Sequence, residues 1–362
     1  MRIAILAAES SKHTQRWCAE LANEDIDVRL ITAHPIPKEP RVLTRGETLM
    51  IKLGFLLNAG RVRRQIEKLK PDIVHAFYAS GYGWWGARSG YHPFILSVWG
   101  SDITVTAKDS SIARKMTRYN LDKSDVICST SNYLKSEILE LYPHVEEKIE
   151  VIPFGIDTHK FWASSKPDKT EEKFVIGTAR GLEHVYGLDI LIRAFSKLQK
   201  RIPDSILKIA GDGSLRKELE SLANSLGVVD AVEFLGYVAQ DNMPAFLNSL
   251  DAFVMPSREE SFGVASLEAM ACRVPVIASR VGGNKEILGD GMCGVMFESE
   301  DVDGLVDGLV SFAENDSLRK QLGLAGRKRV VDNYDIMATT QMMLDLYGRV
   351  TGVTNRQSTP EL

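Results

Sequence analysis

The chain has 362 residues, more than one hydrophobic core usually organises, so two domains of roughly 100–200 residues are expected. Its 44% hydrophobic, 25% charged and 8% aromatic residues are ordinary globular usage and exclude wholesale disorder or a fibrous repeat. The formal net charge of −4 argues against nucleic acid as a partner, and four well-separated cysteines (Cys18, Cys128, Cys272, Cys293) without a Cys-x-x-Cys pair suit a reducing, cytoplasmic compartment, with neither a zinc site nor a disulfide framework.

The first apolar run, Ile3 to Ala8, follows one basic residue and meets Glu9 and Ser10 too soon for the core of a signal peptide, so it reads as a strand. Strand-length apolar runs then alternate with helical patterns. Strands are expected over 2–7, 27–32, 73–77, 94–98, 126–128 and 149–152, and helices over 13–23, 48–70, 110–122 and 132–142. From Lys38 to Lys70 nine basic and three acidic residues surround an apolar segment, Leu49 to Leu57. That composition fits a solvated helix with one face in the core, or a face resting on anionic lipid at the inner side of the cytoplasmic membrane. No window approaches the ~20 apolar residues that span a bilayer, so any membrane association is expected to be peripheral.

A polar stretch over 158–173 cannot bury a core and reads as a connector. A second set follows, with strands over 174–178, 206–210, 232–235, 252–255 and 274–278 and helices over 188–201, 215–226, 242–248 and 261–271; beyond it the pattern is almost wholly helical. Such alternation is the signature of doubly wound α/β domains with parallel sheets. The expected organisation is a Rossmann-like acceptor-binding domain over 1–155, a linker over 156–172 and a Rossmann-like donor-binding domain over 173–335. A helix over 336–352 crosses back to the first domain, and a polar tail covers 353–362. Two such domains facing across a cleft would carry their ligands beyond the carboxyl ends of the strands.

The most informative segment runs from Met255 to Ala271. A strand ends at Met255, a polar loop follows, and a helix is expected from about Ser261. The amides of Phe262, Gly263 and Val264 would then be the open donors of a helix N-terminus, which favour a phosphate. Glu260 and Glu268, eight apart, both turn toward one crevice if the first precedes the helix and the second lies two turns along it. The alternative is a helix cap and a surface ion pair.

The stretch from Arg258 through Glu268-Ala269-Met270-Ala271-Cys272, Val274-Pro275-Val276-Ile277-Ala278-Ser279 and Val281-Gly282-Gly283 to Glu286-Ile287 resembles the donor-site signature of retaining family-4 glycosyltransferases of the GT-B fold. Ile152-Pro153-Phe154-Gly155-Ile156-Asp157 with Phe161, Gly211-Asp212-Gly213 and Leu235-Gly236-Tyr237-Val238 resemble further segments of that family. The resemblance implies transfer of a sugar from a nucleotide-sugar to a glycan or lipid-linked acceptor, with retention, no metal and no other cofactor. It implies that Glu260 holds the donor sugar, Glu268 the ribose, Phe262, Gly263 and Val264 the diphosphate and sugar, Gly236 and Tyr237 the base, and Arg180 the departing diphosphate. Glu260 and Arg180 are thereby the expected catalytic pair.

Two positions depart from the family pattern. Its lysine is replaced by Tyr186, a candidate donor-binding residue that can give one neutral hydrogen bond but cannot supply the second positive charge, and Arg258 is a candidate to compensate. Trp99 stands where many relatives carry histidine, so a histidine-mediated proton step is unavailable there. Trp99, Asp102, Lys12 and His13 are candidate contacts to acceptor or sugar, Asp102 with a loop-capping role as its alternative. Same-face substitution, with the leaving phosphate as base, is the expected mechanism. Of the competing readings, a nicotinamide-dependent dehydrogenase needs a Gly-x-Gly-x-x-Gly after the first strand, which Ala7-Ala8-Glu9-Ser10-Ser11 does not supply. A phosphorylase, a nucleotide-sugar epimerase or a catalytically silent nucleotide-sugar-binding protein would share the architecture.

Overall fold

The computed structural model describes residues 1–24, 26–33, 45–163 and 173–352, and of residues 45–53 only the backbone. The chain forms two compact units, Met1–Phe154 with the segment from Met337 onward, and Gly155–Ile336.

The first unit is built as β1 (Arg2–Leu6), α1 (Lys12–Asn23), β2 (Asp27–Ile31), α2 (Arg45–Leu69), β3 (Ile73–Phe77), α3 (Gly81–Ser89), β4 (Phe94–Val98), a π turn (Asp102–Thr106) with a short α4 (Ala107–Asp109), α5 (Ser111–Lys123), β5 (Val126–Ser129), α6 (Asn132–Leu141) and β6 (Ile149–Val151). Its strands run parallel in the order β2-β1-β3-β4-β5-β6. β3 and β4 are buried at every position, as strands covered by helices on both faces must be. Ser110 and Ser131 set the starts of α5 and α6, each hydroxyl accepting from the amide three residues on.

α3 was not expected, because the glycines in Gly81-Tyr82-Gly83-Trp84-Trp85-Gly86 mask its helical propensity. They serve packing: a Cβ on Gly86 would fall 2.2 Å from the Phe94 ring, and one on Gly83 3.2 Å from Leu96.

The second unit contains β7 (Val175–Ala179), α7 (Leu188–Gln199), β8 (Ile206–Ala210), α8 (Arg216–Ser225), β9 (Val232–Gly236), α9 (Met243–Asn248), β10 (Ala252–Met255), α10 (Val264–Ala271), β11 (Val276–Ser279), α11 (Gly282–Ile287), β12 (Gly294–Phe297), α12 (Val302–Glu314) and α13 (Asp316–Asn333). Its sheet is also parallel, in the order β12-β11-β10-β7-β8-β9. The short strand β12 corrects the expectation of an almost wholly helical end. β12 has four residues, too few to stand out in the sequence, and owes its place to pairing with β11.

α14 (Ile336–Thr351) belongs to the first unit. Its Tyr347 is fully buried, with the hydroxyl 2.7 Å from His75 Nδ1, and Ser97 Oγ lies 2.8 Å from His75 Nε2. Arg349 pairs with Glu150. Most of the expected connector (164–172), the tail (353–362), and Lys38 and Arg41 of the basic stretch lie outside the described residues.

Candidate active site

In an open parallel sheet the loops leaving two neighbouring strands part to opposite faces at the switch point and leave a crevice there. In the second unit that point lies between β7 and β10, which are adjacent in the sheet but separated in the chain by β8 and β9. The loop after β7 carries Arg180 and Tyr186, and the loop after β10 carries Arg258, Glu260, Phe262 and Gly263.

The two loops meet through side chains. Arg180 Nη2 donates to Glu260 Oε2 at 2.6 Å, with the two side chains 13% and 11% exposed. The Arg180 guanidinium carbon lies 4.1 Å from the centroid of the Tyr186 ring. The second Glu260 oxygen accepts from the Phe262 amide at 3.4 Å. Gly187 follows Tyr186 at φ 64°, and a Cβ there would fall 2.0 Å from the Pro256 carbonyl oxygen, so only glycine lets the loops approach this closely.

The helix after β10 starts at Val264, three residues later than expected. Gly263 precedes it at φ 103°, a left-handed position. The Phe262 amide is therefore spent on Glu260 rather than being an open helix donor, and the first turn of α10 begins beyond it. Gly283, the second residue of α11, packs against this loop: its amide donates to the Glu260 carbonyl at 2.8 Å, and a Cβ on it would sit 2.7 Å from the Phe262 Cα.

Glu268, 7% exposed, lies on α10 and accepts from Gln240 Nε2 at 2.9 Å. Nothing in the spacing of the sequence marks Gln240 as that partner. Gly236, φ 68°, ends β9 with its carbonyl accepting from the Gly211 amide at 2.7 Å, and Tyr237 beside it is 68% exposed.

Arg258 is not a free cation. Its Nη1 and Nη2 pair with the two Asp189 oxygens at 2.8 and 2.9 Å, its Nε lies 2.5 Å from Glu300, and Nη1 also donates to the His184 carbonyl at 2.7 Å. The hydrogen-bonded Asp189 carboxylate, with Glu300, raises the Arg258 pKa further. With its charge matched by Asp189 and Glu300, Arg258 bolts the His184–Tyr186 turn to the loop after β10, where the Arg258 amide also donates to the Val185 carbonyl.

Among the described residues of this unit, the buried side-chain polar atoms without a hydrogen-bond partner are Thr178 Oγ1, Arg180 Nε, Ser257 Oγ, Ser266 Oγ and Asn284 Oδ1. All five belong to the strand ends, loops and helix starts around the β7/β10 switch point. Buried polar groups are rarely left unpaired except where a ligand or water completes them.

In the first unit, Trp99 follows β4 and lies among aromatic rings: Phe77 at 5.0 Å, Phe154 at 5.5 Å and His13 at 5.7 Å between centroids. His13 stacks on Phe154 at 4.3 Å, and burial, reinforced by Arg16 and Lys12, lowers its pKa to about 4. Burial thus favours the neutral form of the His13 ring, while Lys12 beside it is exposed.

Asp102 is fully buried. Its carboxylate accepts from the amides of Ala79 at 2.7 Å, Gly100 at 2.8 Å and Trp99 at 3.2 Å, and burial pushes its pKa up against the pull of those donors. It caps the loop rather than presenting an acid to solvent. Among the described residues no group of three or more His, Cys, Asp or Glu is placed to hold a metal ion.

Two parallel doubly wound units, one with a cation, a carboxylate and unpaired polar atoms at its switch point, define the GT-B class. Solved structures agree on the fold. Sucrose-phosphate synthase from Thermosynechococcus elongatus superposes with a TM-score of 0.84 at 18% identity, over 98% of this chain and all of that one. Anabaena HepE in complex with UDP-glucose gives 0.76 at 18% identity, over 96% and 100% of the two chains. Residues 161–329 match the model of glycosyl transferases group 1, and residues 2–131 that of the glycosyl transferase 4-like family. An uncharacterized glycosyltransferase of Methanocaldococcus jannaschii is 31% identical over 76% of this chain and 75% of its own length. A GDP-mannose-dependent mannosyltransferase of Mycolicibacterium smegmatis, acting by its name on phosphatidylinositol monomannoside, is 30% identical over 81% and 80%. The chain belongs to the group 1 glycosyltransferases.

Proposed function

We propose that the chain moves a sugar from a nucleoside-diphosphate sugar to a glycan or lipid-linked acceptor, with retention and without a metal ion, in bacterial surface polysaccharide or glycoconjugate synthesis. The observation that carries this reading is the constellation at the β7/β10 switch point. Arg180 and Glu260 are locked together there, and the unpaired buried side-chain polar atoms described in the unit are the Arg180 Nε itself and one each on Thr178 of β7, Ser257 of the loop after β10, Ser266 of α10 and Asn284 of α11. A guanidinium held in place before the reaction stabilises charge that develops on a leaving diphosphate without reorganising. Relatives whose names specify GDP-mannose or an N-acetylglucosaminyl product, and a structural neighbour holding UDP-glucose, support a nucleotide-sugar donor.

The bond between the anomeric carbon and the phosphate oxygen breaks, its electron pair going to the phosphate. The acceptor oxygen bonds to the same face of that carbon, and its proton passes to the departing phosphate. A covalent sugar on a carboxylate is disfavoured, because both Glu260 oxygens are already engaged, by Arg180 and by the Phe262 amide, and Asp102 is enclosed by amides. Glu260 then acts by position and charge on the developing oxocarbenium.

The acceptor reading rests on α2. Exposed Leu57, 82% accessible, is followed at helical spacing by exposed Arg61, Arg64 and Lys68, a stripe suited to an anionic lipid surface. No helix among the described residues is long and apolar enough to cross a membrane. We place the protein in the cytoplasm, resting on the inner face of the membrane. Salt-sensitive binding to anionic vesicles that is lost on neutralising Arg61, Arg63 and Arg64 supports this placement; no binding by the wild-type chain overturns it.

A panel of UDP-, GDP- and other nucleotide-sugars, scored by thermal shift and by release of nucleoside diphosphate, tests the activity. One donor that stabilises the fold and yields nucleoside diphosphate is the expected result. Consumption of a glycan by free phosphate would assign a phosphorylase, epimerised nucleotide-sugar an epimerase, and binding without turnover a silent module.

A further inference from the structure

The structure assigns Tyr186 as a positioning residue that acts through Arg180; this rests on the activity proposed above and adds a role for a residue that breaks the family pattern. Three observations carry it. The guanidinium carbon of Arg180 lies 4.1 Å from the Tyr186 ring centroid, a face contact at cation–π distance. The Nη2 edge of the same guanidinium is fixed by Glu260 at 2.6 Å, so one side chain is held on a face and on an edge. The Tyr186 turn is itself braced. Gly187 is pressed against the Pro256 carbonyl, Arg258 donates to the His184 carbonyl, and a Cβ on Gly181 would lie 3.2 Å from the Tyr186 ring.

A lysine at this position would put a second positive charge beside Arg180. Tyr186 instead covers one face of the guanidinium with a neutral ring. That restricts the rotamers of Arg180 and keeps water from the covered face, which strengthens the field of the single remaining cation at its Nε and free edge. Among the described residues the Arg180 Nε is buried without a partner, as a donor reserved for an anion would be. The aromatic face does this work, and the hydroxyl is incidental.

The test measures kcat and KM for nucleoside-diphosphate release, with the donor found in the panel, for wild type, Tyr186→Phe, Tyr186→Leu and Tyr186→Lys. Tyr186→Leu is expected to lower kcat ~10-fold with little change in KM, and Tyr186→Phe to recover most of that loss. Tyr186→Lys should fall with Tyr186→Leu, since it removes the ring and adds a like charge. On an Arg180→Ala background Tyr186→Leu should cost nothing further, because the ring acts only through the guanidinium.

The proposal is overturned if Phe is as poor as Leu, if Leu or Lys matches wild type, or if the Leu loss persists without Arg180. An apo readout guards against a misfolded variant or an unidentified donor. In arginine-labelled protein the Arg180 Nε–H proton should be shifted upfield by the ring, in wild type and Tyr186→Phe but not in Tyr186→Leu; an unshifted wild-type signal also overturns the proposal. Failure of the parent reading looks different: wild type then releases nucleoside diphosphate from no donor while the ring-shifted signal remains.

Discussion

Arg180 and Glu260, 80 residues apart in the chain, are joined at 2.6 Å across the two loops that leave β7 and β10. The ion pair ties together the two loops of the Rossmann-type switch point inside one unit. Each side chain fixes the rotamer of the other before any ligand arrives.

Arg180→Ala should lower kcat by about 10²–10³-fold, the range seen when a preorganised charge-stabilising donor is removed. Glu260→Gln keeps the shape but weakens the hold on Arg180 and on the developing positive charge, and should also lose kcat. The double variant should lose less than the product of the two single losses, because the residues act as a unit. Steady-state kinetics on the three variants measure this coupling, and strictly multiplicative losses would show two independent residues.

Arg258→Ala should act on the scaffold. With the Asp189 pair, the Glu300 contact and the His184 carbonyl left unserved, a loss of about 2 kcal/mol is expected. Urea unfolding measures it. An unchanged midpoint with lost activity would instead make Arg258 a direct ligand-binding residue.

The strand end at Met255 and the glycine before a helix were legible as local signals, whereas Glu260 and Glu268, whose spacing equally fits a cap and a surface pair, were singled out through the family resemblance. The start of α10 was misplaced by three residues, since Glu260 engages the Phe262 amide and the left-handed Gly263 delays the first turn. The fate of Arg258 was decided by partners far away in sequence, which no periodicity reveals, while Asp102 takes the loop-capping role that was its stated alternative. α3 was hidden by glycines that exist for tertiary contact with β4, and β12 by its four-residue length.

Acid should destabilise the first unit through His75. Burial lowers its pKa to about 3, from an ordinary value of 6.5, so below pH 6.5 the unfolded chain binds a proton that the folded chain refuses. Its neutral form therefore supports the fold fully above pH 6.5, and that support is lost as pH falls toward 3. About 2 kcal/mol should disappear between pH 6.5 and 5 from this residue alone. Unfolding free energies across that interval, compared with a flatter profile for His75→Asn, check it; parallel profiles would contradict it.

Glu268→Ala should raise KM for the donor more than it lowers kcat, if its carboxylate holds the ribose away from the reacting bond. Gln240→Ala, which frees the Glu268 oxygen from its 2.9 Å contact, should have a smaller effect in the same direction. A pure kcat loss in Glu268→Ala would move this residue to the chemical step.

The most direct measurement is a crystal structure of the chain with UDP or GDP, whichever binds more tightly. The diphosphate is predicted to accept hydrogen bonds from the Arg180 guanidinium, near Gly263 and the first turn of α10. Density for the phosphates away from the β7/β10 loops, with Arg180 and Glu260 untouched, would contradict the account.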